Sequence, residues 1–174
     1  MRTILILSGM ITLLACGDGK QEAAQALAAA DTTVSTSLSV DLNPQDMPLF
    51  VELGSAALLG IDTPTVMWNE EMGRMEVDGG EHFGIVITEE PGDLPRLKAD
   101  LERDMLQKHT VIEEGTDRLV YRSQFPDDKL IFIHFYQVVQ AGDRTFTVQD
   151  NEKGRFNETD VARMAKAVRT QRPV

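Results

Sequence analysis

The chain predicts an α+β fold, an antiparallel β-sheet of about six to seven strands with one helix packed on each face. Three observations carry that expectation. Apolar and polar residues alternate with period two in short segments divided by turn residues, as in half-buried strands. Two segments, 94–108 and 157–171, change to helical spacing. Between them, 129–139 is apolar on both faces for most of its length, the pattern of an interior strand covered on both sides.

The elements follow in order. Val34, Thr36, Leu38, Val40 and Leu42 alternate with Ser35, Ser37, Ser39 and Asp41, which makes a strand with a mostly serine outer face. Asn43-Pro44-Gln45-Asp46 is turn chemistry, and 48–53 forms a second strand. A small-residue connection, 54–64, leads into a hairpin with arms 65–69 and 74–78 around the loop 70–73. Gly79-Gly80 turns the chain into a strand over 82–88. Asp93 caps and Pro95 opens the first helix, whose stripe is Leu94, Leu97, Leu101 and Met105. Strands over 109–113 and 118–123 come next, then 129–139. Gln140-Ala141-Gly142-Asp143 turns that strand into an antiparallel neighbour over 144–149. The last helix has Asn157 as its cap, Asp160 in the capping-box position and Phe156 placed to staple onto Val161. Its stripe is Val161, Met164, Ala165 and Val168, and Lys166, Arg169 and Arg172 suit the negative end of its dipole.

Composition narrows the function. A chain of 174 residues, 42% apolar, suits one domain with or without a tail and excludes wholesale disorder. The net charge of −11 argues against nucleic acid, whose binders need a basic face to displace counterions. A single cysteine excludes an internal disulfide framework and any zinc site built from several thiolates.

The first sixteen residues say most about location. Arg2 is a positive n-region, and 4–14 is an apolar run of about eleven residues, within the range of a secretory signal. It is too short to span a membrane, which takes roughly 20 residues. The run ends in Leu13-Leu14-Ala15-Cys16, which resembles the lipobox of bacterial lipoproteins. The resemblance implies diacylglycerol transfer to the Cys16 sulfur, cleavage after Ala15 and acylation of the new amino terminus. Residues 1–15 are then a signal peptide, 16–33 the lipidated Cys16 and a flexible tether, and 34–174 a single α+β domain. Two or more acyl chains give durable anchoring where one is marginal. In Gram-negative families an Asp directly after the cysteine favours the inner membrane. Gly17 stands there instead, so the resemblance implies a cell-envelope protein of the outer membrane. Residues 17–33 are Ala- and Gln-rich, and as coil they reach about 20–25 Å. A strongly acidic body is repelled by anionic lipid, so the membrane is expected to be met through the lipid alone.

The order of elements from residue 35 to 172 resembles the PsbP-like α/β/α sandwich. That likeness includes the closing strand, polar turn with Phe156, and capped helix. It implies a non-enzymatic role: binding a protein partner in the envelope, or a small ligand. Two other readings stay open, a calcium-dependent envelope hydrolase and a structural or stress-related surface lipoprotein without a discrete ligand.

The side chains that carry chemistry agree with a non-catalytic reading. His134 lies inside the apolar strand, as a hydrogen-bonded core or sheet-edge histidine, while His82 and His109 start strands and are expected to face solvent. No two histidines have ligand spacing on one element, and no Ser or Cys stands beside a recognisable basic partner. Glu70-Glu71, Glu89-Glu90, Glu113-Glu114 and Asp127-Asp128 would serve Ca²⁺ only if gathered at one edge; otherwise they are solvated surface. No phosphate-cradling glycine motif occurs, and no cofactor is expected. Trp68, Phe132, Phe135 and Tyr136 read as core. If Trp68 and Tyr136 share an incompletely covered sheet face with His134, the three make a pocket or a partner-docking patch.

Overall fold

Alternation sorts the strands into one large antiparallel sheet. The computed structural model describes residues 36–170; the expected signal peptide, Cys16 and the expected tether lie outside the described residues. The large sheet has seven strands in the order β3-β4-β5-β9-β8-β7-β6, every neighbouring pair antiparallel. They are β3 (Thr65–Asn69), β4 (Arg74–Asp78), β5 (Gly84–Glu89), β6 (Lys108–Glu114), β7 (Arg118–Gln124), β8 (Phe132–Ala141) and β9 (Arg144–Asp150). The fold is therefore antiparallel α+β, as expected, and the hairpin arms β3 and β4 have the expected limits.

A second sheet was not expected. The strands read near 34–42 and 48–53 are β1 (Ser37–Asp41) and β2 (Phe50–Ser55), and they pair with each other instead of extending the large sheet. On the other side of β2 lies β10 (Val168–Arg169). The terminal helix is correspondingly shorter than its stripe suggested: α3 spans Glu158–Met164, following α1 (Ala56–Leu59) and α2 (Leu94–Arg103). Its capping box is present, with Asn157 Oδ1 accepting from Asp160 N at 3.0 Å. Val168 leaves the helix because β2 offers a ladder. Glu52 N donates to Ala167 O at 2.9 Å, Val168 sits opposite Val51, and Arg169 pairs with Glu52.

The core lies between the inner face of the large sheet and a layer made of the small sheet and α3. Val77, Ile85, Ile87, Phe135, Phe146 and Val148 meet Val51, Leu53, Val161 and Met164 there, all buried. On the outer face α2 lies over β6, with Lys98 Nζ donating to Glu114 at 2.7 Å. Close approach at its leading loop requires Gly92, where a Cβ would stand 2.3 Å from Val138 Cγ2. No residue of α2 is buried. It stops at Arg103, because Asp104 turns to extended backbone and its carboxylate accepts from Leu106 N and Gln107 N. Met105, read as part of the stripe, is consequently 94% exposed. Strand β8 begins at Phe132, leaving Leu130 and Ile131 outside it and about half exposed. Among the described residues no helix is long and apolar enough to cross a membrane.

Candidate functional site

Two loops at one end of the large sheet define a cleft. The first joins β4 to β5. Asp78 Oδ1 accepts from Gly80 N at 2.8 Å, and Gly80 takes φ +80°, a conformation that favours glycine. The second, 151–157, is pinned by Asn151 N donating to Gly84 O at 2.9 Å, and it carries Phe156 inward over Gly154. With the outer faces of β3 and β4 these loops wall a cleft of about 680 Å³, its lining including Met67, Glu76, His82, Lys153, Arg155 and Phe156.

Two buried carboxylates stand in its walls. Glu76 Oε1 accepts from Asn69 Nδ2 at 3.0 Å and from Arg74 Nη2 at 3.1 Å, while Oε2 accepts from Lys153 Nζ at 3.2 Å. The Asn69 amide first, then Lys153 and Arg74, hold its carboxyl below the usual value against the opposing effect of burial. Asp160 Oδ1 accepts from Arg163 Nη2 at 2.9 Å, and its Oδ2 lies 3.2 Å from His82 Nδ1. Both acids have their oxygens engaged by the protein's own donors. They shape the cleft and give it charge, and the exposed Lys153 and Arg155 also line it.

A smaller pocket of about 260 Å³ shares residues 154–157 with this cleft and runs under Leu130, Ile131 and His134. Asp150 is buried there; its Oδ1 accepts from Phe135 N at 2.9 Å and its Oδ2 lies 2.8 Å from His134 Nδ1. His134 is thus an oriented, partly exposed histidine near the start of an interior strand. Tyr121, 5.4 Å away between ring centroids, has its phenol pushed up to about 12 by burial, then by Asp150 and Glu152.

No family model, no curated protein and no solved structure matches this chain.

Among the residues singled out from sequence, Trp68 stands apart from the other two. It pairs with Met75, whose row continues through Ile87 and Val148 to Gln137, so it projects on the face opposite Tyr136. It lies on the edge strand, four strands from β8, and is about half exposed. His134 and Tyr136 do share the outer face. Tyr136 sits against Gly92 with its phenol raised by burial.

His109 corrects an expectation, for its side chain is only 10% exposed. Its Nδ1 lies 2.8 Å from Ser123 Oγ and its Nε2 2.8 Å from Asp104 Oδ2. A serine does therefore stand beside a basic partner, brought there by β6–β7 pairing. Ser123 is 1% exposed, so a substrate carbonyl has no path to Oγ, and the chain of contacts acts as a clamp fastening the 104–107 loop to the sheet.

The acidic doublets disperse. Glu89 pairs with Arg144, Glu90 accepts from Thr147, Glu113 pairs with Arg118 and Glu114 with Lys98. Among the described residues no group of three or more His, Cys, Asp or Glu is disposed to hold a metal ion. The sequence reading did not single out Glu76 or Lys153, and it placed His82 in solvent without its Asp160 partner. Glu76 occupies an ordinary polar position in an alternating strand, and only its burial sets it apart.

Proposed function

We propose that this chain is a lipid-anchored protein of the bacterial cell envelope whose body is a PsbP-like, non-catalytic binding domain. Cys16 carries the anchor in this reading, and Gly17 favours the outer membrane. The cleft between β3, β4 and the loops 80–84 and 151–157 receives a small ligand or a segment of an envelope protein. The observation that carries the binding role is that cleft: roomy, and lined by the apolar Met67 and Phe156 together with charged groups of both signs. Support for a non-catalytic role comes from Glu76 and Asp160, whose hydrogen bonds hold them in structural service. The chain closest to a catalytic arrangement ends in a buried hydroxyl.

Site-specific photo-crosslinking in living cells tests this reading. A photoreactive residue at Met67, in the cleft, is expected to give a discrete adduct, and one at exposed Arg96, on α2, is not. Equal labelling at both positions, or none, overturns the binding role and leaves a structural lipoprotein. The anchor has its own test: Cys16→Ser is expected to abolish acyl labelling and leave unprocessed precursor, and unchanged labelling refutes it.

A further inference from the structure

The outer strand of an open sheet leaves a row of backbone N–H and C=O groups without a ladder partner. Among the described residues four strands have a neighbour on one side only: β1 and β10 in the small sheet, β3 and β6 in the large one. Three of them are guarded against further pairing. β1 is broken by a register shift between Leu38 and Ser39, and β10 is two residues long. β6 opens on Lys108, shifts register between Val111 and Glu113, and ends on Glu113-Glu114. β3 has no such device. Its five residues, Thr65 to Asn69, hold no charge, no proline and no bulge, and they pair with β4 in unbroken register.

This edge is also braced and apolar. Asn69 donates from Nδ2 to Glu76 and accepts from Met72 N, which ties the end of the strand to the buried carboxylate and to the turn. Met67, Trp68 and Met72, all on this one hairpin, are each more than half exposed. Alternation gives the strand two faces: Thr65 and Met67 line the cleft, whereas Val66 and Trp68 belong to the opposite side of the sheet.

Charge decides what suits the edge. From Asp62 to Glu81 six acids stand against Arg74. Among the described residues only Glu76 of the six is in an ion pair, which leaves Asp62, Glu70, Glu71, Asp78 and Glu81. Lys153 is committed to Glu76, so Arg155 is the one cation lining the cleft without an ion pair among the described residues. A second copy of this chain brings the same excess of acids to the other side of the ladder, where like charges oppose pairing.

We propose that the free edge of β3 takes up an extended segment of another protein, rich in lysine or arginine, as an eighth strand of the large sheet. The proposal rests on the binding role given above to the cleft, and it names the occupant. Backbone hydrogen bonds to β3 supply affinity whatever the sequence, and alternate side chains supply the choice. Those on one side of the added strand run past Thr65 and Met67 toward Asp78 and Glu81 in the cleft. Those on the other side meet Trp68, whose indole face attracts cations. The net charge of −11 draws a basic segment in from a distance.

Trp68 is the only tryptophan of the chain, so its fluorescence reports the edge directly. The full mature protein is titrated with three short capped peptides: alternating Val and Lys, alternating Val and Glu, and the Val-Lys peptide methylated on every backbone nitrogen. The Val-Lys peptide is expected to shift Trp68 emission and, at saturation, to slow amide exchange over 65–69 at least about ten-fold. It is expected to bind at least about ten-fold more tightly than the Val-Glu peptide, and the methylated peptide is expected to lose both effects. Met67→Lys places a guarding charge on the edge. It is expected to weaken the Val-Lys peptide at least about ten-fold, while unchanged exchange in β5 and β9 reports an intact fold. Undiminished binding of the methylated peptide, equal binding of the Val-Glu peptide, or no shift with any of them overturns the proposal. A dimer that protects 65–69 without peptide also overturns it and assigns the edge to a second copy. Photo-crosslinking from Met67 in cells keeps the two readings apart. A discrete adduct without strand addition refutes the eighth strand and keeps the binding role of the cleft; strand addition without an adduct does the reverse.

Discussion

Replacing Glu76 with Gln separates a carboxylate that organises the cleft wall from one that merely lies there. The substitution keeps the shape and one acceptor but removes the charge that meets Asn69, Arg74 and Lys153. Hydrogen bonds to a sheltered charge are worth about 1.5–3 kcal/mol each. That range applies to Asn69 and, at 25% side-chain exposure, in large part to Arg74. Lys153, with 72% of its side chain exposed, belongs on the surface scale of about 0–1 kcal/mol. One bond survives to the Gln carbonyl, so Glu76→Gln is expected to cost about 2–3 kcal/mol near pH 7 and Lys153→Ala under about 1. Since Glu76 is held below its ordinary value, its contribution is present above about pH 5 and is lost as pH falls through the lowered value. Gln cannot titrate there, so the gap between the proteins must narrow on acidification. Urea unfolding across that range reads both quantities. A gap that persists in acid, or Lys153→Ala matching Glu76→Gln, would show that charge and sheltered bonds are not what Glu76 supplies.

Two further outcomes test the layering. Phe146→Ala, at a fully buried site on β9, is expected to cost about 3–5 kcal/mol in urea unfolding, whereas Trp68→Ala on the exposed edge strand stays within about 1. Gly92→Ala forces a methyl onto the stiff Val138 side chain and is expected to cost about 1–3 kcal/mol, with hydrogen exchange in α2 rising more than in β8.

Local rules explain what was legible. The β3–β4 hairpin was readable to the residue because alternation and a four-residue turn are both local signals. The capping box of α3 was readable because Asn157 and Asp160 satisfy each other within one turn. Where the helix stops was not, because a competitor from far along the chain decides it: β2 draws Val168 into a ladder. The stripe of α2 misled at Met105 for a related reason. The Asp104 carboxylate caps the following amides and grips His109, and that partner becomes visible only once β6 is folded back.

Antiparallel pairing explains why the cleft stayed hidden. It returns alternate connections to the same end of the sheet, so loops 79–83, 104–107, 125–131 and 151–157 converge although they span half the sequence. The other connections, at 70–73, 115–117 and 142–143, go to the far end. No single converging loop is notable. Each brings at most two cations and one to three large apolar side chains, and Asp127-Asp128 beside Lys129 looks like ordinary acidic surface. Summed along the chain, the acids dominate and imply repulsion from lipid. Sorted by sheet end, residues far apart in sequence, His82 on one loop and Lys153 and Arg155 on another, come to line one cleft. A function that depends on which end of the sheet a loop occupies is set by strand register, and net charge is blind to register.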